Sequence, residues 1–468
     1  MKGVDNDLEA AEKVYAMYPY WVYCHDDLYV YDYETGMYTT NITVVKKIVS
    51  KFSKFLHLSE RDEKGNDFIN TKKSYGNTAG LLDKMITLLK TLNINNHWMK
   101  KNQTSALGKI LFNNGIFDFK TRSFSPKFDP SLVFFGKVHA DYNVEIDAEY
   151  LESIKQRIFY DTLGEDAGKY FIEQLSRGLS GEVMKRILFA IGPSDSGKGV
   201  LTTSLMLALG DHCGSFNAEN LAYRETTQDE AAVMRWALLI ANKRIILSNE
   251  IKQTVELDGN KIKKTASGGD TLIGRTHCKE EQEFITQFLP VVLCNDINKI
   301  TPFDDAVENR VRCLTYEKNF VENPTNEFEL KMDDHIKEEI KTEKYQIHLR
   351  YLLMFTKWTN VEPQCVKNSK KEWFDVEERD IVKQFWNTFE LCEGEFVPSS
   401  EIVEWLDNTK SKISMQKFGL DMKKWKEVNK KEFGVKIKKI KGKCVSVWDG
   451  IRRISCCELD AEPSSENI

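Results

Sequence analysis

The sequence predicts an α/β fold built on a parallel sheet, and three observations carry that expectation. First, the apolar run Arg186–Ile191 leads into the loop Gly192-Pro193-Ser194-Asp195-Ser196-Gly197-Lys198-Gly199-Val200. Behind it, Leu201, Leu205, Met206 and Leu209 recur at helical spacing. Strand, glycine loop and helix in that order aim backbone N–H groups, a helix dipole and a lysine at phosphate. Second, two further apolar runs end in polar groups: Lys243–Glu250 ends in an acid, and Phe288–Cys294 stops before Asn295. Third, helical patterns separate these strands, and Val311–Tyr316 supplies another strand after Arg310. Strands alternating with helices give a parallel sheet with ligands at the strand C-terminal ends.

Within the loop, Gly192 and Gly197 permit the backbone turns, and Lys198 adds a point charge. The residue after such a lysine is usually Ser or Thr, whose hydroxyl binds Mg²⁺. Here it is Gly199, with Thr202 and Thr203 most of a turn further on. Nucleotide binding is therefore better supported than hydrolysis, and Thr202 is the candidate hydroxyl for the metal.

Composition narrows the class. The 468 residues are long enough for two to four domains, and 41% hydrophobic with 29% charged residues is ordinary for a globular protein. No apolar run approaches bilayer-spanning length, and the first residues lack a signal-peptide core, so neither membrane insertion nor secretion is expected. Ten dispersed cysteines without a CxxC repeat predict reduced thiols and no zinc site. A net charge of −5 argues against wholesale coating of nucleic acid but leaves room for a local basic surface.

In chain order, residues 5–18 read as a helix, Trp21–Tyr23 and Leu28–Tyr31 as strands, and Asp32–Gly36 as a turn. Val44–Leu56 and Leu81–Leu92 read as helices around a polar loop at Ser59–Asp67. A strand at Asn113–Phe119 and a turn at Lys120–Arg122 complete a mixed α/β module over residues 1–149, whose aromatics read as core. It holds no HxH pair for a nicking nuclease and no DxD-plus-His pattern for a primase. Residues 150–184 form a helical collar or linker. Residues 185–320 hold the phosphate loop, a helix over Asp229–Ala241 and the strands above. A long amphipathic helix is expected from Ile336 to Met354 and a linker over Pro363–Lys371, within a helical lid and linker spanning 321–372.

From 373 to 455 the pattern is three helices, the third capped by Ser414, then two strands around Lys441-Gly442-Lys443. That is the outline of a winged helix. Its lysines, among them Lys410, Lys412, Lys417, Lys423, Lys424 and Lys426, give a basic patch suited to duplex DNA. Residues 456–468 read as a disordered acidic tail.

The order Lys198, Glu250, Asn295, Arg310 resembles superfamily 3 helicases. It is nearest to the helicase portion of primase-helicases of poxviruses, other large DNA viruses and satellite phages. Gly192–Lys198 matches Walker A, Arg244–Glu250 Walker B, and Pro290–Asn295 motif C. Lys264–Asp270 followed by Arg275 is similar to the B′ motif, and Asp304–Val311 to the arginine-finger segment. The resemblance implies an AAA+-like P-loop core that binds ATP and Mg²⁺. It implies a hexameric ring whose Arg310 reaches a neighbour's nucleotide, with Arg312 as a second candidate. It also implies a β-hairpin after B′ that grips DNA through Lys264, Arg275, His277 and Lys279. Three departures stand out: Gly199, Asn249 where many relatives carry a second acid, and Asn309 where a second arginine is common.

The function this implies is ATP-driven unwinding of DNA, with Lys198, Glu250, Asn295 and Arg310 catalytic and Glu250 a metal ligand. Translocation would run 3′ to 5′ on single-stranded DNA, in the cytosol or nucleus of an infected cell. A separate primase or polymerase would be needed. Two alternatives remain: a nucleotide-binding assembly factor with weak or no ATPase, and an unrelated phosphate-loop enzyme such as a kinase.

Overall fold

The computed structural model describes residues 2–454, apart from 62, 65–66, 225–228, 253–254, 276–280, 297, 374–380, 409–414, 416–417, 420–421, 424, 427–429 and 441–442. It divides into two units, residues 1–369 and 370–468.

The first unit opens with β1 (Lys2–Val4), α1 (Asp7–Met17), β2 (Trp21–Cys24), β3 (Asp27–Asp32), β4 (Met37–Thr39) and α2 (Ile42–Ser53). Asn6 and Asn41 cap the two helices through side-chain oxygens that accept from Glu9 N and Thr43 N. Next come β5 (Leu56–Arg61), β6 (Asp67–Ser74), α3 (Ala79–Leu92) and α4 (Trp98–Asn102), then the meander β7 (Lys109–Phe112), β8 (Gly115–Asp118) and β9 (Ser123–Ser125). Two expectations need correction here. The helix expected to reach Leu56 stops at Ser53, because Leu56 is fully buried and begins a strand that pairs in parallel with β1. The expected loop at 59–67 is shorter than that span, because Ser59–Arg61 belong to β5 and Asp67 to β6, with Glu60 paired to Phe68 across the ladder. The polar residues at the start of that span are on the ladder, where Glu60 pairs with Lys73 at 3.2 Å.

The collar follows as α5 (Ala148–Lys155), a π-helical turn at Gln156–Tyr160, α6 (Asp161–Leu163) and α7 (Glu165–Ser180). Helix α7 ends on Gly181 in the left-handed region at φ 81°. The remaining elements up to the last helix of this unit are β10 (Ile187–Ile191), α8 (Lys198–Leu209), β11 (Cys213–Phe216), α9 (Glu230–Val233), α10 (Arg235–Leu239), β12 (Ile245–Ser248), β13 (Leu257–Asp258), α11 (Gly259–Thr265), β14 (Thr271–Arg275), β15 (Glu281–Ile285), β16 (Leu289–Cys294), β17 (Ile300–Thr301), α12 (Asp305–Glu308), β18 (Val311–Thr315), β19 (Asn319–Val321), β20 (Glu329–Lys331), α13 (Ile336–Glu339) and α14 (Glu343–Phe355).

Among the described residues, five strands form the central sheet in the order β11-β12-β16-β10-β18, all parallel. Every residue of β10 is buried, as a strand covered on both faces requires. Phe159, Phe171 and Leu175 lie in one core with Leu188, Leu205, Leu314 and Leu349. Fully burying each such side chain contributes about 1.5–3 kcal/mol.

Three helical expectations change. The single helix over 229–241 is two short ones, broken at the buried Met234. The long helix over 336–354 is split, because the Thr342 hydroxyl accepts from Tyr345 N and starts α14 afresh. The expected linker at 363–371 is instead the helix α15 (Gln364–Trp373), which buries Val366.

The second unit holds α16 (Ile381–Thr388), β21 (Phe389–Pro398), α17 (Ser399–Asp407), β22 (Gly434–Ile440) and β23 (Lys443–Arg453). The two expected wing strands pair as an antiparallel hairpin, and β21 adds a strand the sequence did not suggest, in the order β21-β23-β22. Phe385, Phe389, Phe418 and Trp448 fill the centre. The expected helix after Ser414 falls mostly outside the described residues, as do Lys410, Lys412, Lys417, Lys424 and the acidic tail.

Candidate nucleotide-binding site

Strand β10 ends at Ile191, and the chain turns away at Gly192. A Cβ added there would come within 2.5 Å of the Tyr316 Cβ, so glycine alone lets the loop pass the end of β18. Asp195 and Gly197 both have positive φ, 59° and 86°. These turns bring the chain round to start α8 at Lys198. The N-cap, Gly197, offers no side-chain cap, so the first N–H groups of α8 remain for an anion.

Lys198 is 8% exposed. Its Nζ donates to Gly192 O at 2.6 Å, Pro193 O at 2.8 Å, Ser196 Oγ at 3.0 Å and Asn295 Oδ1 at 3.4 Å. All four acceptors are neutral, so the charge itself is left for an anion to match. Burial pulls the lysine below its ordinary pKa, with Glu250 pulling the other way. Strand register explains why these groups meet. Ile191 aligns with Cys294, which ends β10 and β16 at one level, and Leu247 aligns with Val291, so β12 stops two residues short and the chain runs on to Glu250 beside them. Glu250 and Asn295 therefore emerge beside the loop, both exposed.

The neighbours are less uniform. Asn249 accepts from Ala218 N through Oδ1 at 2.9 Å, so its amide holds the turn after β11. Thr202 Oγ1 donates back to Lys198 O at 2.9 Å, and Thr203 Oγ1 to Gly199 O at 3.0 Å, which leaves both oxygens with acceptor capacity. A Cβ on Gly199 would meet nothing within 4 Å.

The loop, Thr202, Glu250 and Asn295 line one cavity of about 910 Å³. Its far wall comes from the segment expected as a lid, though none of its residues was singled out from the sequence as lining a site. Residues Leu330–Asp334, Ile336 and Lys337 form it, with Arg157 and Thr162 from the collar. Phe320 anchors this wall by donating its N–H to Asp195 O at 2.9 Å. Arg157 holds Glu339 at 2.7 Å and Asp333 at 3.2 Å. The mixed polar sequence over 319–337 carries no periodicity that marks these roles. Among the described residues no group of three or more His, Cys, Asp or Glu could hold a metal. An Mg²⁺ bound with a nucleotide needs only one or two carboxylates beside phosphates and waters, and Glu250 with the Thr202 hydroxyl suits that set.

Arg310 is not in this cavity. Its carbonyl accepts from Ile187 N at the opposite end of β10, about 16 Å of strand away from Gly192. Its guanidinium donates to Ala266 O at 3.0 Å and Ala306 O at 2.6 Å. This ties the expected finger segment to the expected B′ segment, and Lys263, the residue just before B′, pairs with Asp304 at 2.7 Å. Arg312 is a poorer candidate than the sequence suggested, because Glu362 holds its Nε at 2.7 Å and its side chain is 13% exposed. The hairpin expected after B′ is present as β14 paired with β15. Lys264 lies on α11, and Arg275 at the end of β14 pairs with Asp229 at 2.6 Å. His277 and Lys279 lie outside the described residues. The described cysteines are all free thiols, and no described helix is long and apolar enough to cross a membrane.

No family model matches the chain. It is 31% identical over 467 residues to "Putative helicase V13" of Sputnik virophage, covering 96% of this chain and 58% of that protein. It is 22% identical over 339 residues to "Putative helicase L207/L206" of Acanthamoeba polyphaga mimivirus, covering 68% of this chain and 33% of that protein. The chain thus spans little more than half of one relative and a third of the other. Among solved structures, the apo A form of the NrS-1 C-terminal region aligns over 92% of this chain and 95% of that one, at TM-score 0.42 and 13% identity. The chain is a relative of viral proteins described as helicases, in agreement with the superfamily 3 type read from its motifs.

Proposed function

We propose that this chain is an ATP-driven DNA helicase subunit that works as a ring, with each nucleotide shared between two copies. One observation carries the reading: Lys198, Glu250 and Asn295 converge on an open cavity at the C-terminal ends of three adjacent parallel strands, while Arg310 sits at the opposite end of the same sheet. Within one copy the strand length keeps Arg310 from the loop. A second copy would have to supply it, and that supports a closed assembly. We take six as its number from the family resemblance.

In this reading the core is AAA+-like and the residues from Gly192 to Val200 cradle the phosphates. Lys198 leaves the loop carbonyls for the β- and γ-phosphates. Glu250 takes the proton of the attacking water, and Asn295 orients that water. Arg310 of the neighbour stabilises charge on the phosphoryl oxygens as they separate. Mg²⁺, held by Glu250 and the Thr202 hydroxyl beside the phosphates, would offset the negative charge of the triphosphate.

The hairpin β14–β15 would carry Lys279 and His277 against single-stranded DNA, with Arg275 at the tip end of β14 and Lys264 on the helix before the hairpin. Backbone contacts of this kind hold any sequence. The second unit would act as a winged helix on forked DNA. Asp449 already pairs with Lys436 at 2.7 Å and Lys438 at 2.5 Å, so duplex contact falls to the lysines before the wing. We retain the boundaries 1–149, 150–184, 185–320, 321–372, 373–455 and 456–468 as working domains. A separate primase or polymerase, 3′ to 5′ polarity and action at a replication site inside an infected cell complete the reading.

The second reading, an assembly factor with weak hydrolysis, is favoured by Gly199 and by Asn249, whose amide holds Ala218 N where many relatives carry a second acid. Steady-state ATP turnover of the purified protein, with and without single-stranded DNA, separates the two. DNA-stimulated turnover together with strand separation on a forked substrate supports the helicase. Tight nucleotide binding with no turnover under either condition overturns it.

A further inference from the structure

We infer that Gln103 is a positioning residue that bolts the β14–β15 hairpin to the amino-terminal module, so that hairpin and module move as one body. Gln103 lies just after α4 and is 5% exposed. Its Nε2 donates to Ile285 O at 2.7 Å and to Ala241 O at 3.2 Å, and its Oε1 accepts from Ile285 N at 2.8 Å. The side-chain amide thus treats Ile285 as a neighbouring strand would, meeting both main-chain groups of one residue. Every hydrogen of Nε2 is committed, and a buried amide so satisfied is costly to displace. Lys100 on α4 pairs with Glu283, two residues earlier on the same strand.

The third partner links this bolt to the nucleotide strand. Ala241 lies just before β12, whose far end carries Glu250. Arg244, at the start of that strand, donates Nη1 to Ser180 O and Nη2 to Ala106 O, both at 3.1 Å. Ala106 is three residues past Gln103. A Cβ on Gly181 would fall 1.1 Å from Arg244 Nη1, so the packing admits no side chain there. Two buried side chains therefore clamp the segment 103–106 onto the hairpin base and the root of β12. A hairpin driven by nucleotide turnover would carry the module with it.

This inference rests on the proposed role of the hairpin in gripping DNA, and the test separates the two. Gln103→Met keeps length and apolar packing but removes all three hydrogen bonds. Gln103→Glu keeps the acceptor, and its protonated form can also donate. Basal ATP turnover of Gln103→Met should stay within about twofold of the parent, while stimulation by single-stranded DNA falls about tenfold, as small misplacements of a working group do. Hydrogen–deuterium exchange of the full chain should rise in residues 281–285 and not in β10. Gln103→Glu should recover stimulation as pH is lowered and the carboxyl protonates. Unchanged exchange at 281–285 overturns the bolt. Raised exchange with stimulation intact overturns the coupling. If the parent itself shows no stimulation while exchange rises in the variant, the DNA-gripping hairpin fails, the coupling fails with it, and the bolt stands.

Discussion

The two ends of the five-stranded sheet carry similar side chains and use them in opposite ways. At the C-terminal ends of β10, β12 and β16, Lys198, Glu250 and Asn295 border a cavity of about 910 Å³. At the N-terminal ends, Arg310 and Arg244 donate to main-chain carbonyls at 2.6–3.1 Å, and Gln103 joins them there. Those groups act as rivets. The lysine at the other end has only neutral partners and open volume beside it. Placement along a parallel strand, more than residue type, separates a ligand group from a structural one. Arg310 is the exception that gives the comparison its interest, since the proposed mechanism asks a rivet of one copy to serve the open end of another.

The sharpest break would come at the open end. Lys198→Ala should lower steady-state ATP turnover about 10³-fold and weaken nucleotide binding, because it removes a preorganised cation. Glu250→Gln should lower turnover as far while ATP is still bound, as measured by fluorescent-nucleotide titration. Turnover near the parent level in either variant would mean that the cavity is not the catalytic end.

Arg310 comes next. Arg310→Ala should cost about 10²-fold in turnover. Mixed with Lys198→Ala, it should regain part of that loss, because some interfaces then pair an intact loop with an intact arginine. No recovery on mixing would make Arg310 a rivet and nothing more.

The riveted end should show itself in acid. His212 is buried at 3% exposure, and among the described residues its Nε2 has no hydrogen-bond partner. Burial, and then the charge of Arg244, push its pKa from 6.5 down to about 3. The unfolded chain binds that proton at higher pH than the folded one. The stability is therefore whole above pH 6.5 and erodes as pH falls toward 3. His212→Leu should flatten that decline in urea midpoint, by on the order of 1–2 kcal/mol near pH 5. Parallel acid limbs in the two proteins would show that His212 does not set the decline.

Legibility in the sequence follows the same division. The open end was readable because its chemistry is local: β10, the loop and α8 are contiguous, and Glu250 and Asn295 end apolar runs. The riveted end was not, because Gln103 meets Ile285 across 182 positions and Arg244 meets Ala106 across 138. No period or composition marks such pairs. The same cause hid which residues of the expected lid, Leu330 to Lys337, would line the cavity, and it misplaced Leu56, whose strand partner Lys2 lies at the start of the module. Thr342 was a different kind of miss. A helix cap was present in the sequence, but the apolar spacing on either side ran through it.

Gly199 tests how complete the open end is. It is the second residue of α8 and lines the cavity, and a Cβ there would touch nothing within 4 Å. Gly199→Ser therefore meets no steric objection, and it replaces the weakest ordinary helix former with a better one, which favours the folded state by a few tenths of a kcal/mol. Its hydroxyl would stand where related loops place a metal ligand. If the cavity lacks that oxygen, the new contact is worth about 1 kcal/mol, and the Mg²⁺ concentration for half-maximal turnover should fall roughly fivefold. If Thr202 already supplies it from one turn further along, Gly199→Ser should leave the Mg²⁺ requirement unchanged and Thr202→Val should raise it. Insensitivity to both substitutions would leave Glu250 as the protein's sole ligand among these groups, and the sheet's open end would hold its metal mainly through the nucleotide.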